Sequence, residues 1–184
     1  MYRYEIKIPK ERIAVLIGEK GRVKKEIEQA TRSRLDIDSE EGDVFISGTD
    51  SVGLMTVRDV VKSIGRGFNP EIAMRLTKQD YSFEAIDIMD FAKNTKDIVR
   101  VRGRIIGREG KARKKLEQIT ETSISVYGKT VGIIGLMDKV MLAKQAIESL
   151  LKGSPHSKVY AKILRKTKEG SRREMLEVEN IENG

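Results

Sequence analysis

The alternation of apolar and polar residues at the start of the chain predicts a strand followed by two helices. Residues 3–8 alternate, which favours a strand. Pro9 can open a helix, and Gly18 ends it. A second helix is predicted after Gly21. Its apolar residues share one face, at Val23, Ile27 and Ala30.

The next forty residues predict two strands and one more helix. Apolar residues alternate with charged ones around residues 35–37 and again at 44–46, and the polar residues 38–43 form the turn between them. Asp50 or Ser51 caps the last helix. The apolar residues of that helix are Leu54, Val57, Val61 and Ile64. The predicted order is strand, helix, helix, strand, strand, helix.

The second half of the chain repeats the first. Residues 102–126 superimpose on residues 13–37 after a shift of 89 positions, which places 17–21 (IGEKG) on 106–110 (IGREG). The same shift pairs Val23, Ile27 and Ala30 with Ala112, Leu116 and Ile119. The second unit is therefore predicted to have a strand near 81–88, helices near 97–106 and 111–121, strands at 123–127 and 130–134, and a helix near 138–151.

The repeat divides the chain into four parts. The first unit covers residues 1–66 and the second covers 80–153, joined by residues 67–79 with a short helix. Residues 154–184 are predicted to form a C-terminal helix that gives way to disorder from about Thr167. The joint carries apolar residues that need a partner surface, namely Ile72, Met74 and Leu76. We therefore expect the two units to pack together.

Composition narrows the function. The chain has 36 Lys and Arg against 28 Asp and Glu, a net charge of +8, and this surplus favours a nucleic-acid partner. It has no Cys, which excludes disulfides and thiolate zinc sites. No apolar run approaches the roughly 18 residues that span a bilayer. We expect a cytoplasmic protein without a membrane segment, metal or cofactor.

The two Gly-x-x-Gly segments, at 18–21 and 107–110, are the candidate phosphate-binding sites. Glycine lets a backbone approach another backbone closely, and the start of the following helix presents N–H groups and a positive dipole to phosphate. The candidate RNA-binding residues of the first unit are Gly18, Glu19, Lys20, Gly21, Arg22, Lys24 and Lys25. Those of the second unit are Arg104, Ile106, Gly107, Arg108, Glu109, Gly110, Lys111, Arg113 and Lys114. We predict no catalytic or metal-binding residue.

A GXXG loop between two helices, followed by two strands and a helix, resembles the eukaryotic-type (type I) KH domain. This implies an α+β fold of two tandem βααββα domains, each with a three-stranded antiparallel sheet packed by three helices. KH domains clamp about four nucleotides of single-stranded RNA at this loop. Two plainer interpretations remain: the glycines serve only the turn between helices, or one unit only packs against the other.

The charges around the two loops favour the second unit as the stronger nucleic-acid site. Residues 10–25 hold six basic and two acidic residues, whereas residues 100–115 hold eight basic and one acidic. The first unit also has an acidic stretch at 36–43, which is better explained as a solvated turn than as a calcium loop. Tyr127 is expected either to stack on a base or to pack at a strand end, and His156 to be a surface or capping residue.

Three further segments point to one family. The sequences GFNPEIAMRL (67–76), SVYGKTV (125–131) and GSPHSKVY (153–160) resemble the archaeal member of the Dim-two / Partner-of-NOB-one family of KH ribosome-assembly factors. The resemblance implies a non-enzymatic protein that binds near the 3′ end of small-subunit ribosomal RNA during ribosome assembly and pre-rRNA processing. It also implies partnership with the endonuclease that trims that end. The alternatives are a NusA-like tandem-KH transcription factor and a protein-binding scaffold with degenerate KH domains.

Overall fold

The structure is a computed structural model that describes the backbone of residues 1–182 and side chains through Glu177. The first unit contains β1 (Tyr2–Lys7), α1 (Lys10–Ile17), α2 (Arg22–Thr31), β2 (Arg34–Ile37), β3 (Asp43–Gly48) and α3 (Ser51–Gly65). The joint contains α4 (Pro70–Ala73) and a 3-10 turn (Met74–Thr77). The second unit contains β4 (Tyr81–Asp87), α5 (Thr95–Ile106), α6 (Lys111–Thr120), β5 (Ser123–Tyr127), β6 (Thr130–Leu136) and α7 (Met137–Leu151), followed by α8 (His156–Glu182).

Each unit builds one antiparallel sheet of three strands, in the order β1-β3-β2 and β4-β6-β5. Core residues face each other across the strands, as Leu35 does with Ile46 and Ile124 with Ile133. The strand nearest the GXXG helices in sequence, β2 or β5, lies at a sheet edge. The α+β prediction of two βααββα units is confirmed.

The predicted apolar faces are buried, with one difference between the units. Ile27 of α2 and Leu116 of α6 are fully buried, and Ile119 is 8% exposed. Ala30, which the repeat pairs with Ile119, is exposed, so this part of the sequence prediction is wrong. The reason is that the long helix α8 packs against α6, whereas the short α4 and the 3-10 turn that follow α3 leave Ala30 of α2 exposed.

The two units share an apolar interface, as expected from the joint. Ile134 of β6 belongs to the core of the first unit, together with Phe68 and Leu76 of the joint. Phe68 meets Phe83 of β4 edge to face, with ring centroids 6.2 Å apart. The outer face of the second sheet is thus covered by the first unit. The predicted packing of the two units is confirmed.

The C-terminal helix α8 is longer than the sequence predicts. Val159 and Ile163 are buried in the second core, and the helix continues to Glu182, where disorder was expected from about Thr167. Helix-favouring Leu, Arg, Lys and Glu residues continue past that point, and Arg165 lies 3.9 Å from Glu169 one turn later. Residues 183–184 lie outside the described residues.

The helices were compared with the length and apolarity that a membrane span requires. Among residues 1–182, none of them combines the length and the apolar character needed to cross a bilayer.

Candidate nucleic-acid interface

The two GXXG loops have the same backbone conformation. Gly18 and Gly107 both have φ 72°, and Gly21 and Gly110 have φ 76° and 73°. The residue before the second glycine is also left-handed in both loops, at Lys20 (φ 52°) and its counterpart Glu109 (φ 54°). The loops therefore differ in side chains and not in shape.

The two glycines of each loop have different tasks. A Cβ on Gly107 would lie 2.6 Å from the Ala112 Cβ and 2.8 Å from its backbone nitrogen, so the first glycine lets α5 end against α6. Gly18 is equally close to Val23. By contrast, among the described residues no atom lies within 4 Å of a Cβ built on Gly21 or Gly110. The second glycine thus faces open space, where another backbone can approach.

The helix that follows each loop starts without a side-chain cap. Asp50 caps α3 by accepting from the Val52 amide, as predicted, and Asn94 caps α5 by accepting from Asp97. In the described part of the chain, no side chain accepts a hydrogen bond at the start of α2 or α6. The first amide of each helix is nevertheless engaged within the turn, since Arg22 donates to the Glu19 carbonyl and Lys111 to the Arg108 carbonyl. An anion at either loop is therefore attracted by the positive end of the helix dipole and by the basic side chains around it.

The structure gathers most of the predicted site residues around the two loops. The exposed ones are Glu19, Lys20, Arg22, Lys25, Arg108, Glu109, Lys111 and Lys114. The half-buried ones are Gly18, Gly21, Lys24, Arg104, Ile106, Gly107, Gly110 and Arg113. Lys111 lies 3.5 Å from Glu109, with both side chains mostly exposed, so this ion pair contributes little.

Arg104 has a structural task that the sequence analysis did not predict. Its Nε donates to the Leu150 carbonyl (2.9 Å) and its guanidinium also reaches the Ser154 carbonyl. His156 was expected to be a surface or capping residue; it is half-buried, and its Nε2 lies 2.7 Å from the Arg104 carbonyl oxygen, which ties α8 to α5. Arg104 therefore fixes the end of α7 and the start of α8 against α5, and its contact with RNA stays a prediction.

Arg12 performs the same task in the first unit, which the sequence analysis missed. Its guanidinium donates to the Ile64 and Phe68 carbonyls, each at 2.8 Å. The shift of 89 residues pairs Arg12 with Val101 and not with Arg104, so the alignment of the repeats gave no signal.

A second pair of residues with a structural role is visible in the aligned sequences of the two units. Glu28 and Glu117, which the repeat aligns, each accept from the backbone amide of the edge strand at 2.7 Å, from Leu35 and Ile124 respectively. These bonds fix the distance between the GXXG helix and the edge strand. Because both units have this carboxylate, Glu28 does not make the first unit more acidic than the second.

The strand side of the two units differs in charge. The turn between β2 and β3 is acidic, and the Asp38 carboxylate accepts from the Glu41 and Glu40 amides, which lowers the pKa of Asp38. The corresponding turn between β5 and β6 is only Gly128 and Lys129. The first unit is therefore more acidic than the second both around its GXXG loop and at the turn between its last two strands.

Tyr127, at the end of β5, packs between the units. Its hydroxyl donates to the Glu11 carboxylate on α1, and the Arg12 guanidinium lies 5.8 Å from its ring centroid. This hydrogen bond lowers the pKa of Glu11 and raises that of Tyr127. Of the two expectations for Tyr127, the packed strand end is the one that the structure supports.

Comparisons with known proteins agree with this geometry. Residues 82–168 match the model of the eukaryotic-type KH domain (KH domain type I), and residues 3–55 match that of the KH domain. A KH domain-containing protein of Methanocaldococcus jannaschii is 46% identical over 177 residues, which cover 94% of this chain and 77% of that one.

Two further relatives carry informative names. One chain in the crystal structure of an a/eIF2alpha–aDim2p–rRNA complex from Pyrococcus horikoshii superimposes with a TM-score of 0.84 at 46% identity, covering 91% of this chain and 95% of that one. The pre-rRNA-processing protein pno1 of Aspergillus fumigatus is 34% identical over 119 residues, which cover 62% of this chain but only 47% of that longer protein. The chain thus spans about half the length of such eukaryotic relatives. With identity to archaeal relatives along nearly its whole length and a KH domain in each half, the chain belongs to the Dim2/PNO1 family of KH-domain proteins.

Proposed function

We propose that this chain binds single-stranded RNA in the 3′-end region of small-subunit ribosomal RNA, during ribosome assembly and pre-rRNA processing. The observation that carries the proposal is the open second glycine of each GXXG loop, placed directly before an uncapped, basic helix. The rRNA complex of the Pyrococcus horikoshii relative and the name of the fungal relative support the choice of RNA.

The proposed contact begins with the phosphates. The RNA backbone crosses Gly110 and meets the positive N-terminal end of α6, while Arg108, Lys111 and Lys114 supply positive charge around it. The bases then face the apolar edge between α5 and β5, where Ile106 and Val126 are half-buried. A clamp of this kind holds about four nucleotides.

The second unit is the stronger site in this proposal. At about 0.15 M salt the screening length is about 8 Å, so charges next to each loop decide the affinity and the net charge of the chain does not. The second loop is flanked by a short turn containing Lys129. Each loop itself holds one acid, Glu19 or Glu109, so the contrast comes from the surroundings. The first unit has Glu26 on its helix and the acidic 38–43 turn on its strand side.

The wider role follows from the family. We infer two RNA-binding units, at 1–66 and 80–153, joined by residues 67–79 and followed by residues 154–184. The protein acts by binding and catalyses no reaction. It acts in the cytoplasm, and the endonuclease that trims the rRNA 3′ end is its proposed protein partner.

A salt titration tests the phosphate clamp. If phosphates supply much of the affinity, the logarithm of the association constant falls linearly with the logarithm of salt concentration. Two four-nucleotide sites imply a slope of roughly −3 to −5, at about −0.7 per single-strand contact. EDTA leaves the binding unchanged in this account. A protein with no RNA affinity at low salt would instead be the scaffold alternative.

A further inference from the structure

The solvent-facing side of α8 carries a strong basic surface that the KH fold does not require. Seven basic residues lie within residues 158–173, against the single acid Glu169, a net charge of +6 in a chain of net +8. They are Lys158, Lys162, Arg165, Lys166, Lys168, Arg172 and Arg173. All but Lys166 are exposed. We refer to these seven residues as the α8 basic surface.

The α8 basic surface lies on the side of the helix away from the core. Val159, Ile163 and the half-buried Thr167 recur every four residues and define the packed side. Lys166 donates to Gln145, and Arg165 pairs with Glu169 at 3.9 Å. Within residues 1–177 the other five basic side chains form no ion pair. A surface of this kind repels itself unless an anionic partner neutralises it.

The position of α8 connects this surface to the second GXXG loop. Its first residue, His156, contacts Arg104, which lies three residues before Gly107. Further along, Ser171 and Glu174 line one depression together with Glu121, the residue that follows α6. Helix α8 therefore runs beside α6 in the same direction, and the two helices are packed together.

The separation of α6 and α8 allows one continuous polyanion to contact both helices. Packed helices lie about 8–10 Å apart, which is close to the screening length of about 8 Å, so the fields of α6 and α8 add. Residues 158–173 span about 22 Å at about 1.5 Å per residue. A polyanion that leaves the loop beside α6 meets a second row of positive charge along α8.

We propose that the α8 basic surface binds the phosphate backbone of the RNA that flanks the segment held at the second GXXG loop. This inference rests on the proposed RNA binding and adds a second contact outside the loop. Its role is affinity for longer RNA, with no reading of bases, because exposed Lys and Arg on a helix face contact phosphates without sequence information.

The test compares two RNAs from the 3′ end of small-subunit ribosomal RNA, one of 6 and one of 20 nucleotides. The variant Lys158→Gln, Lys162→Gln, Arg172→Gln is expected to lose affinity for the longer RNA on the order of tenfold, with a salt slope smaller by about 2, since each lost contact removes about 0.7. Its affinity for the 6-nucleotide RNA stays that of the unaltered protein. The matched control, Lys62→Gln, Lys93→Gln, Lys96→Gln, removes three exposed charges elsewhere and keeps both affinities.

Each other outcome overturns the inference. Unchanged binding of the longer RNA shows that the surface serves another partner, such as an acidic protein. Equal loss for both RNAs shows that α8 acts through the loop, and equal loss in the control shows that only net charge matters. If the unaltered protein binds neither RNA, the proposed function itself fails. Circular dichroism confirms that every variant keeps its helix content.

Discussion

At the scale of single residues, each GXXG loop combines a packing glycine with an open one. The first glycine has no room for a Cβ, and the second has room but a left-handed backbone. An L-residue other than glycine in that backbone costs about 1–2 kcal/mol. The shared shape of the loops is therefore fixed by the backbone, and their different charges can evolve without disturbing it.

Because the two glycines of a loop have different tasks, replacing each with alanine is expected to destabilise the protein by a different amount. Gly110→Ala is expected to destabilise the protein by about 1–2 kcal/mol through backbone strain alone. Gly107→Ala adds a clash with Ala112 and is expected to cost clearly more. The control Gly103→Ala lies inside α5, where a Cβ meets no described atom within 4 Å, and is expected to gain about 0.5–1 kcal/mol. Urea unfolding measures all three, and equal losses at 107 and 110 would contradict the division of tasks.

At the scale of elements, an arginine in each unit holds the last helix of the KH fold against the first. Arg12 binds carbonyls at the end of α3 and Arg104 binds those at the end of α7. Charge-assisted hydrogen bonds to partly buried groups contribute about 1.5–3 kcal/mol. In the second unit, Arg104 also positions the start of α8, so it supports the proposed RNA surface indirectly.

Replacing Arg104 tests this positioning role. Arg104→Met keeps the length of the side chain and removes its hydrogen bonds, and it is expected to destabilise the protein by about 2 kcal/mol. Arg102→Met is the control on the same helix, since the Arg102 Nε has no hydrogen-bond partner among the described residues, and is expected to lose less. Thermal unfolding measures the difference. Equal losses would show that Arg104 acts as an ordinary surface charge.

The elements and the packing of the two units could be predicted from the sequence, but most side-chain contacts between the elements could not. Period-two and helical patterns located nearly every strand and helix, and β5 begins and ends at the predicted residues. The duplicated Glu28 and Glu117 left a trace because both units keep the same bond. Arg12 and Arg104 left none, since they approach equivalent carbonyls from positions one helical turn apart. The length of α8 was underestimated because its exposed end has no apolar periodicity, although its residues favour helix.

At the scale of the whole molecule, the interface between the units decides how the two loops are presented. The outer face of the second sheet is covered, with Phe68 packed edge to face against Phe83 and Tyr127 bonded to Glu11. The corresponding face of the first sheet carries the charged residues Arg3, Glu5 and Lys7. We expect the halves to tumble as one body, so that NMR relaxation gives both the same rotational correlation time. Independent values would contradict the packed interface.

The bond between Tyr127 and Glu11 gives this interface a pH dependence. The bond lowers the pKa of Glu11 below its ordinary 4.5, so its contribution to stability is present above that pH and is lost as pH falls through the lowered pKa. The raised pKa of Tyr127 means a second loss at strongly alkaline pH. Tyr127→Phe is therefore expected to be less stable than the unaltered protein near neutral pH, with a difference that shrinks in acid. The exposed Tyr2→Phe is the control, and a difference independent of pH would contradict this account.

The most direct measurement of the central claim compares the two loops for RNA binding. Arg108→Asp with Glu109→Asp places negative charge at the open face of the second loop, and Glu19→Asp with Lys20→Asp does so at the first. All four positions are exposed, so neither double variant loses much thermal stability. The account predicts that the second-loop variant nearly abolishes binding to single-stranded RNA while the first-loop variant loses much less. Equal and severe losses would show that the two units share the RNA and that the ranking by local charge is wrong.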